Sequence, residues 1–288
     1  MPTRSKPGPP ALRRISRGPR APVLAFCVTV VGVWSGDPAR AVSNGRALIV
    51  VGLPGDAAHE ARFAETATQW VAWLTGPDGF KTEDVRVLGA PGGRGPASRE
   101  AVAREFAAIR VALGKDDRLW VFWLGHANAD DGHAYLHLPG PDLRDDEFAA
   151  LFRGVTCREQ VVWVTSTASG WFVKALSAPG RIVIAATERD QEINETEFPH
   201  ALAAVVARPR DRLDADRDGR VSVSELYRAV VAEVGARFAA DRRVPTEHAQ
   251  LDDNGDGVGT EAPGGPPAPP GQAADGAPAA KTFVPFRN

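Results

Sequence analysis

The run Leu119-Trp120-Val121-Phe122-Trp123-Leu124-Gly125-His126 decides the fold. Its apolar stretch has no polar face, and a strand of that kind is expected where both sides of a sheet are covered. Gln160 to Val164 and Arg181 to Ala186 repeat the pattern downstream, and Ala47 to Leu53 and Val85 to Leu88 supply two further strands upstream. Amphipathic segments lie between them. Glu60 to Leu74 puts Phe63, Ala67, Trp70, Val71 and Leu74 on one helical face. Ser98 caps a second helix whose buried face is Val102, Phe106, Ile109 and Leu113 and whose end is marked by Gly114. Asp145 to Phe152 forms a third. Strands alternating with helices predict an α/β fold of three layers, a mainly parallel sheet with helices on both faces.

In such a sheet, ligands bind beyond the carboxyl ends of the strands. Gly125-His126-Ala127-Asn128 follows one strand, and Thr165-Ser166-Thr167-Ala168-Ser169-Gly170 follows the next. Thr187, Glu188, Asp190, Glu192 and Glu195 follow the fifth. A histidine beside a cluster of hydroxyls is the raw material of a base and nucleophile pair. Trp171, directly after the small-residue turn, is placed either to wall a pocket or to pack its helix. Trp120, Trp123 and Trp163 lie within strands and belong to the core, while His133 and His137 read as the surface of a hairpin.

The strand ending in Gly125-His126, the turn through Ser169-Gly170 and the run Leu176 to Thr187 resemble the legumain and caspase-like cysteine peptidase clan over residues 46 to 257. The likeness extends to bacterial secreted relatives with an acidic loop and a Thr-Glu-His-Ala stretch, here Thr246 to Ala249. It implies a His base after one strand, a Cys nucleophile after the next, and backbone amides beside both that hold the oxyanion. His126 matches. Ala127 stands where the clan has Gly, and the nucleophile position falls on Thr167, with Ser166 and Ser169 beside it. Cys157 precedes its strand and is expected at the opposite edge of the sheet.

A hydroxyl, unlike a thiol, needs a base to take its proton and a third group to orient that base. No third residue is evident, and Thr is β-branched, which crowds the attack path. The expectation is therefore a catalytically inactive peptidase homologue that binds a peptide or protein. The alternative is a hydrolase or peptidase using Thr167 or Ser166 with His126.

Asp214-Ala-Asp216-Arg-Asp218-Gly219-Arg220-Val-Ser222-Val-Ser-Glu225 satisfies the positions of an EF-hand calcium loop. Asp214, Asp216 and Asp218 supply carboxylates, Gly219 permits the sharp turn, and Arg220 offers its carbonyl. Ser222 acts directly or through water, and Glu225 closes the shell. Leu226, Val230, Val234 and Phe238 have the spacing of an exiting helix. On the entering side Ala201 to Ala207 suits a short helix that Pro209 interrupts. A second run, Asp252-Asp-Asn254-Gly-Asp256-Gly257, copies the first half of such a loop, and Pro263 then stands where its closing Glu belongs. It is a weaker calcium site or a plain Asp and Gly turn.

Residues 1–41 have the basic, apolar and small-residue regions of an export signal ending at Ala39-Arg40-Ala41, which predicts a secreted or periplasmic protein with no stable membrane span after cleavage. An uncleaved anchor is the other reading. Removing seven basic residues and one acidic residue takes the formal charge from −2 to −8, which argues against nucleic acid as a partner. Cys27 leaves with the signal, so Cys157 has no partner for an intrachain disulfide. The predicted organisation is 46–208 for the α/β domain, 209–261 for the calcium loop, its helix and the second acidic loop, and 262–288 for a Pro, Ala and Gly-rich disordered tail. Phe283 to Phe286 are expected to fray.

Overall fold

Strand β1 (Gly45–Val51) is flanked by β2 (Val85–Leu88) and β3 (Arg118–Leu124), all parallel, in the computed structural model. The structure describes Gly8 and residues 45–189, 192, 194–265 and 273–285. The expected export signal, residues 1–41, lies outside these residues apart from Gly8, as do Asp190 and Phe286. No helix among the described residues is long and apolar enough to cross a membrane. The elements below all belong to one unit, residues 42–288.

Beyond β3 the chain forms a hairpin of β4 (Ala127–Asp130) and β5 (His133–Leu136), joined by the short β6 (Leu143–Arg144) into a separate three-stranded antiparallel sheet. The main sheet continues with β7 (Glu159–Val164) and β8 (Arg181–Ala185) and ends in the antiparallel β9 (Gln250–Asp252). Its order is β2-β1-β3-β7-β8-β9. The five parallel strands agree with the sequence reading; the small sheet and the antiparallel edge are additions to it.

Helices cover both faces. On one side α1 (Ala57–Leu74), α5 (Phe198–Val206) and α6 (Val223–Ala240) enclose Ala47, Ile49, Trp120, Phe122, Trp163 and Ile184. On the other, α2 (Arg99–Ala112), α3 (Asp145–Leu151) and α4 (Gly170–Leu176) enclose Leu48, Val50, Val121, Trp123, Val162 and Val183. Alternate residues of each strand thus feed opposite cores, as pleating requires. Aromatic rings fill much of both: Phe122 stacks on Trp163 at 6.2 Å, and Phe106 meets Phe152 at 4.8 Å.

Helix starts follow their caps. Asp56 accepts from the Ala58 and His59 amides, beginning α1 three residues before the apolar stripe indicates, and Ser98 caps α2 through Ala101 N. Because β2 lies on one side of β1 and β3 on the other, the strand order switches there, the kind of place where open α/β sheets bind ligands beyond the carboxyl ends. Glycine makes the approach there possible. A Cβ on Gly52 would stand 2.6 Å from the His137 carbonyl oxygen, so a larger residue would force β1 away from the hairpin.

Among the described residues, 273–285 of the tail pack onto the domain where disorder was expected. A short 3₁₀ turn spans Ala279–Lys281 with Ala279 fully buried, and Val284 is buried as well. Polar contacts join this apolar packing. Asp253 accepts from the amides of Gly276 and Ala279, and Asp275 accepts from those of Asp253 and Asn254.

Candidate functional site

The sheet brings His126 and Thr167 to the same carboxyl edge, but it does not pair them. The Thr167 hydroxyl donates to the Ala127 carbonyl at 2.5 Å and accepts from the Ala127 amide at 2.9 Å. His126 instead places Nε2 3.1 Å from the Pro54 carbonyl and packs its ring against Phe63 and His59. Ser166 Oγ is fully buried and has no hydrogen-bond partner among the described residues. Ser169 is spent within the turn, through Thr187 Oγ1 at 3.1 Å and the Thr187 amide at 3.0 Å. Thr165 donates to the Trp123 carbonyl at 2.6 Å.

The oxyanion donor that the family resemblance implies beside His126 is the amide of Ala127, and that amide is the one satisfied by Thr167. The amide of Ala168, in the left-handed region at φ 51°, bonds to the Glu192 carbonyl at 3.1 Å. Polar atoms at this edge are thus largely turned inward, toward each other. Cys157 is at the other end of β7 with its thiol on the Glu159 carbonyl, and burial pushes its pKa up to about 11. A thiol that resists ionisation is a poor nucleophile.

Several groups around this edge escaped the sequence reading. His59 lies 2.8 Å from Glu195 and 2.9 Å from Asp56, and those two carboxylates raise its pKa. Glu195 is more than a hundred positions away in the chain, so no local pattern pairs it with His59. His200 is buried against Thr66 at 2.7 Å, and burial, reinforced by Arg62 and Arg237, drives its pKa down to about 3. Glu247, in the Thr-Glu-His-Ala stretch, accepts from the Glu197 and Phe198 amides at the start of α5. Burial pushes its carboxyl up to about 7. His248 beside it pairs with Glu192, which ties the stretch to the loop behind the Thr167 turn.

The two hairpin histidines take separate partners, His133 on Asp145 and His137 on Asn128. Trp171 carries the Arg189 guanidinium on its ring at 4.2 Å.

The acidic loop is built differently. Pro209 ends the approach from α5, and a 3₁₀ turn at Arg210–Arg212 leads into the loop in place of a long entering helix. Carboxylate oxygens of Asp214, Asp216 and Asp218 lie within 4.8 Å of one another. Their other contacts shape the turn: Asp214 accepts from Asp218 N and Gly219 N, Asp216 from Asp218 N, and Asp218 from Arg220 N. Gly219 takes φ 85°, a conformation that its lack of a Cβ makes inexpensive. Glu225 Oε1 folds back to the amides of Ala215 and Asp216, at 2.8 and 3.3 Å. Its Oε2 accepts from Ser222 N and Oγ, completing the capping box of α6. Ser222 is therefore engaged in the cap. An oxygen-only donor set of this kind suits a hard cation, calcium above all.

The second acidic run repeats most of these contacts, with Gly255 N at position four in place of the position-five amide. Asp252 accepts from Gly255 N and Gly257 N, Asn254 from Asp256 N, and Asp256 from Val258 N. The part played by Glu225 in the first loop is taken by Asp275, whose Oδ1 receives the Asp253 and Asn254 amides at 3.0 and 3.3 Å. Pro263 is thus bypassed, and the loop is closed from the tail.

No family model and no curated protein matches the chain. Among solved structures it is similar to protein GSU0716 from Geobacter sulfurreducens, at 18% identity and a TM-score of 0.45 over 73% of this chain and 92% of that one. It is also similar to the caspase drICE, at 12% identity and a TM-score of 0.44 over 73% of this chain and 87% of the other.

Proposed function

We propose that this protein is an exported calcium-binding module on a caspase-like scaffold, acting by binding a peptide or protein rather than by cleaving one. The observation that carries the reading is the convergence of Asp214, Asp216 and Asp218, with Glu225 folded over the same turn. Three carboxylates so close repel one another, and a divalent cation relieves that repulsion while accepting their oxygens. Asp214, Asp216, Asp218, the Arg220 carbonyl and Glu225 would hold the ion. The second loop, with Asp252, Asn254 and Asp256, is a weaker site, because its closing carboxylate comes from a separate segment.

Inactivity is supported by the chemistry of the strand edge. A nucleophile must present a lone pair to the substrate and pass its proton to a base. The Thr167 hydroxyl gives its proton to a carbonyl and its lone pair to an amide of the same residue, Ala127. Ser166 retains an uncommitted hydroxyl but is 0% exposed, which gives a peptide no path to it. Export is supported by the basic, apolar and small-residue pattern of residues 1–41.

Calorimetric titration of the mature chain with calcium, run beside a peptidase screen with and without the ion, tests both halves. Binding heat with no turnover is the expected result. Wild-type turnover that disappears in His126→Ala would overturn the inactive reading, and a flat titration at millimolar calcium would remove the ion.

A further inference from the structure

The middle of the acidic loop does not stand alone: the tail is laid against it as a partner strand. Val284 N donates to the Val221 carbonyl at 2.9 Å, Val223 N donates to the Thr282 carbonyl at 2.7 Å, and Ser222 and Phe283 form an antiparallel bridge between these bonds. The segment is pinned on both sides of that bridge. Ahead of it, Thr282 Oγ1 bonds to the Pro278 carbonyl at 3.1 Å; behind it, Trp73 Nε1 reaches from α1 to the Pro285 carbonyl at 2.5 Å. Phe283 is thereby held in one place, and the Arg220 guanidinium lies on its ring, 3.2 Å from the centroid.

Arg220 is the residue whose carbonyl occupies position seven of the loop, and its cationic side chain is a liability beside a divalent ion. The Phe283 ring gives that charge a partner other than the loop carboxylates. We propose that Phe283 is a positioning residue for calcium, fixing the Arg220 side chain outside the ion's shell while the paired strand holds the backbone on either side of Ser222. This rests on the calcium reading of the loop and adds to it a distant residue that sets affinity without touching the ion.

The test is calcium calorimetry on the mature full-length chain carrying Phe283→Leu, Phe283→Tyr, Arg220→Gln, or Arg220→Gln with Phe283→Leu. Leucine keeps an apolar side chain at the bridge but removes the π face, so the apo melting temperature should hardly move while calcium binding weakens roughly five-fold. Tyrosine, which retains the ring, should bind within about two-fold of wild type. Arg220→Gln should bind more tightly than wild type, and in that background Phe283→Leu should cost almost nothing. If Phe283→Leu binds like wild type, or weakens binding equally with and without Arg220, the inference fails and the calcium site stands. If the wild-type chain shows no calcium heat, the site itself fails and the inference with it.

Discussion

At the carboxyl edge of the sheet the hydroxyls are mostly spent on neighbouring backbone, whereas in the acidic loop three carboxylates share one small volume and repel one another. Both regions descend from the same device, polar side chains satisfying backbone amides at a tight turn. The difference is charge. A neutral hydroxyl that bonds in both directions is complete, and Thr167 gains nothing from a ligand. A carboxylate that accepts one or two amides still carries a full negative charge, and its neighbours make that charge costly until a cation arrives. On the proposed function, the edge is a lock and the loop a receptor.

The largest expected effect that sharpens this contrast concerns acid and the edge. His200 is held neutral with its pKa near about 3, against 6.5 in the unfolded chain, so the folded state refuses a proton that the unfolded state accepts. Its contribution is complete above pH 6.5 and is lost as pH falls toward 3, at most roughly 5 kcal/mol from a shift of this size. Glu247 has the opposite sign. Its carboxyl titrates near 7 in the fold against 4.5, so it favours the folded state at low pH and costs stability as pH rises through that window. Urea unfolding from pH 4 to pH 8 should show a shallower acid loss in His200→Asn and, in Glu247→Gln, removal of the stability cost that builds up between about pH 4.5 and 7. Unchanged profiles in both variants would mean that the edge is not the sealed environment described here.

Next comes Thr167→Val, which keeps the shape but leaves the Ala127 amide and carbonyl unpaired. A loss of about 3 kcal/mol is expected, with no change in behaviour toward peptide substrates. A stable variant that loses peptidase activity would reverse the comparison and make the edge the working site. Glu225→Gln should then abolish most of the stabilisation by calcium, about 2 kcal/mol at ten millimolar if the dissociation constant is in the ~0.1 to 1 mM range of extracellular modules. Thermal melts with and without the ion measure it. The smallest effect is expected from Asp256→Asn in the second loop, below about 1 kcal/mol by the same measurement. Equal losses in the two variants would show that closure from the tail works as well as closure from the following helix.

Much of the fold was legible because its signals are local. The apolar runs, the cap Ser98 and the stop at Pro209 each act within a few residues, and the structure places the corresponding elements accordingly. The first acidic loop could be read for the same reason, since all of its oxygens and its closing Glu225 fall in one stretch of chain. The second loop could not. Its first half is as explicit as the other's, but Asp275 belongs to a Pro, Ala and Gly-rich segment with too little apolar surface to signal order. Composition measures how much a segment can bury; it does not reveal that Asp253, itself buried, needs the amides of Gly276 and Ala279.

The sequence alone determined the α/β class, the strand ends that carry His126 and Thr167, and the acidic pattern of the first loop. Tertiary structure decided how those groups are used. It showed that Thr167 answers to Ala127 rather than to His126, that His59 finds Glu195, that Asp275 closes a loop whose own closing position is proline, and that Phe283 lies beneath Arg220. The physical reason is range. Periodicity, capping and turn chemistry are written in neighbouring residues, while the partner of a given hydroxyl, carboxylate or guanidinium is whichever complementary group the packed chain brings within about three ångströms, at any distance along the sequence.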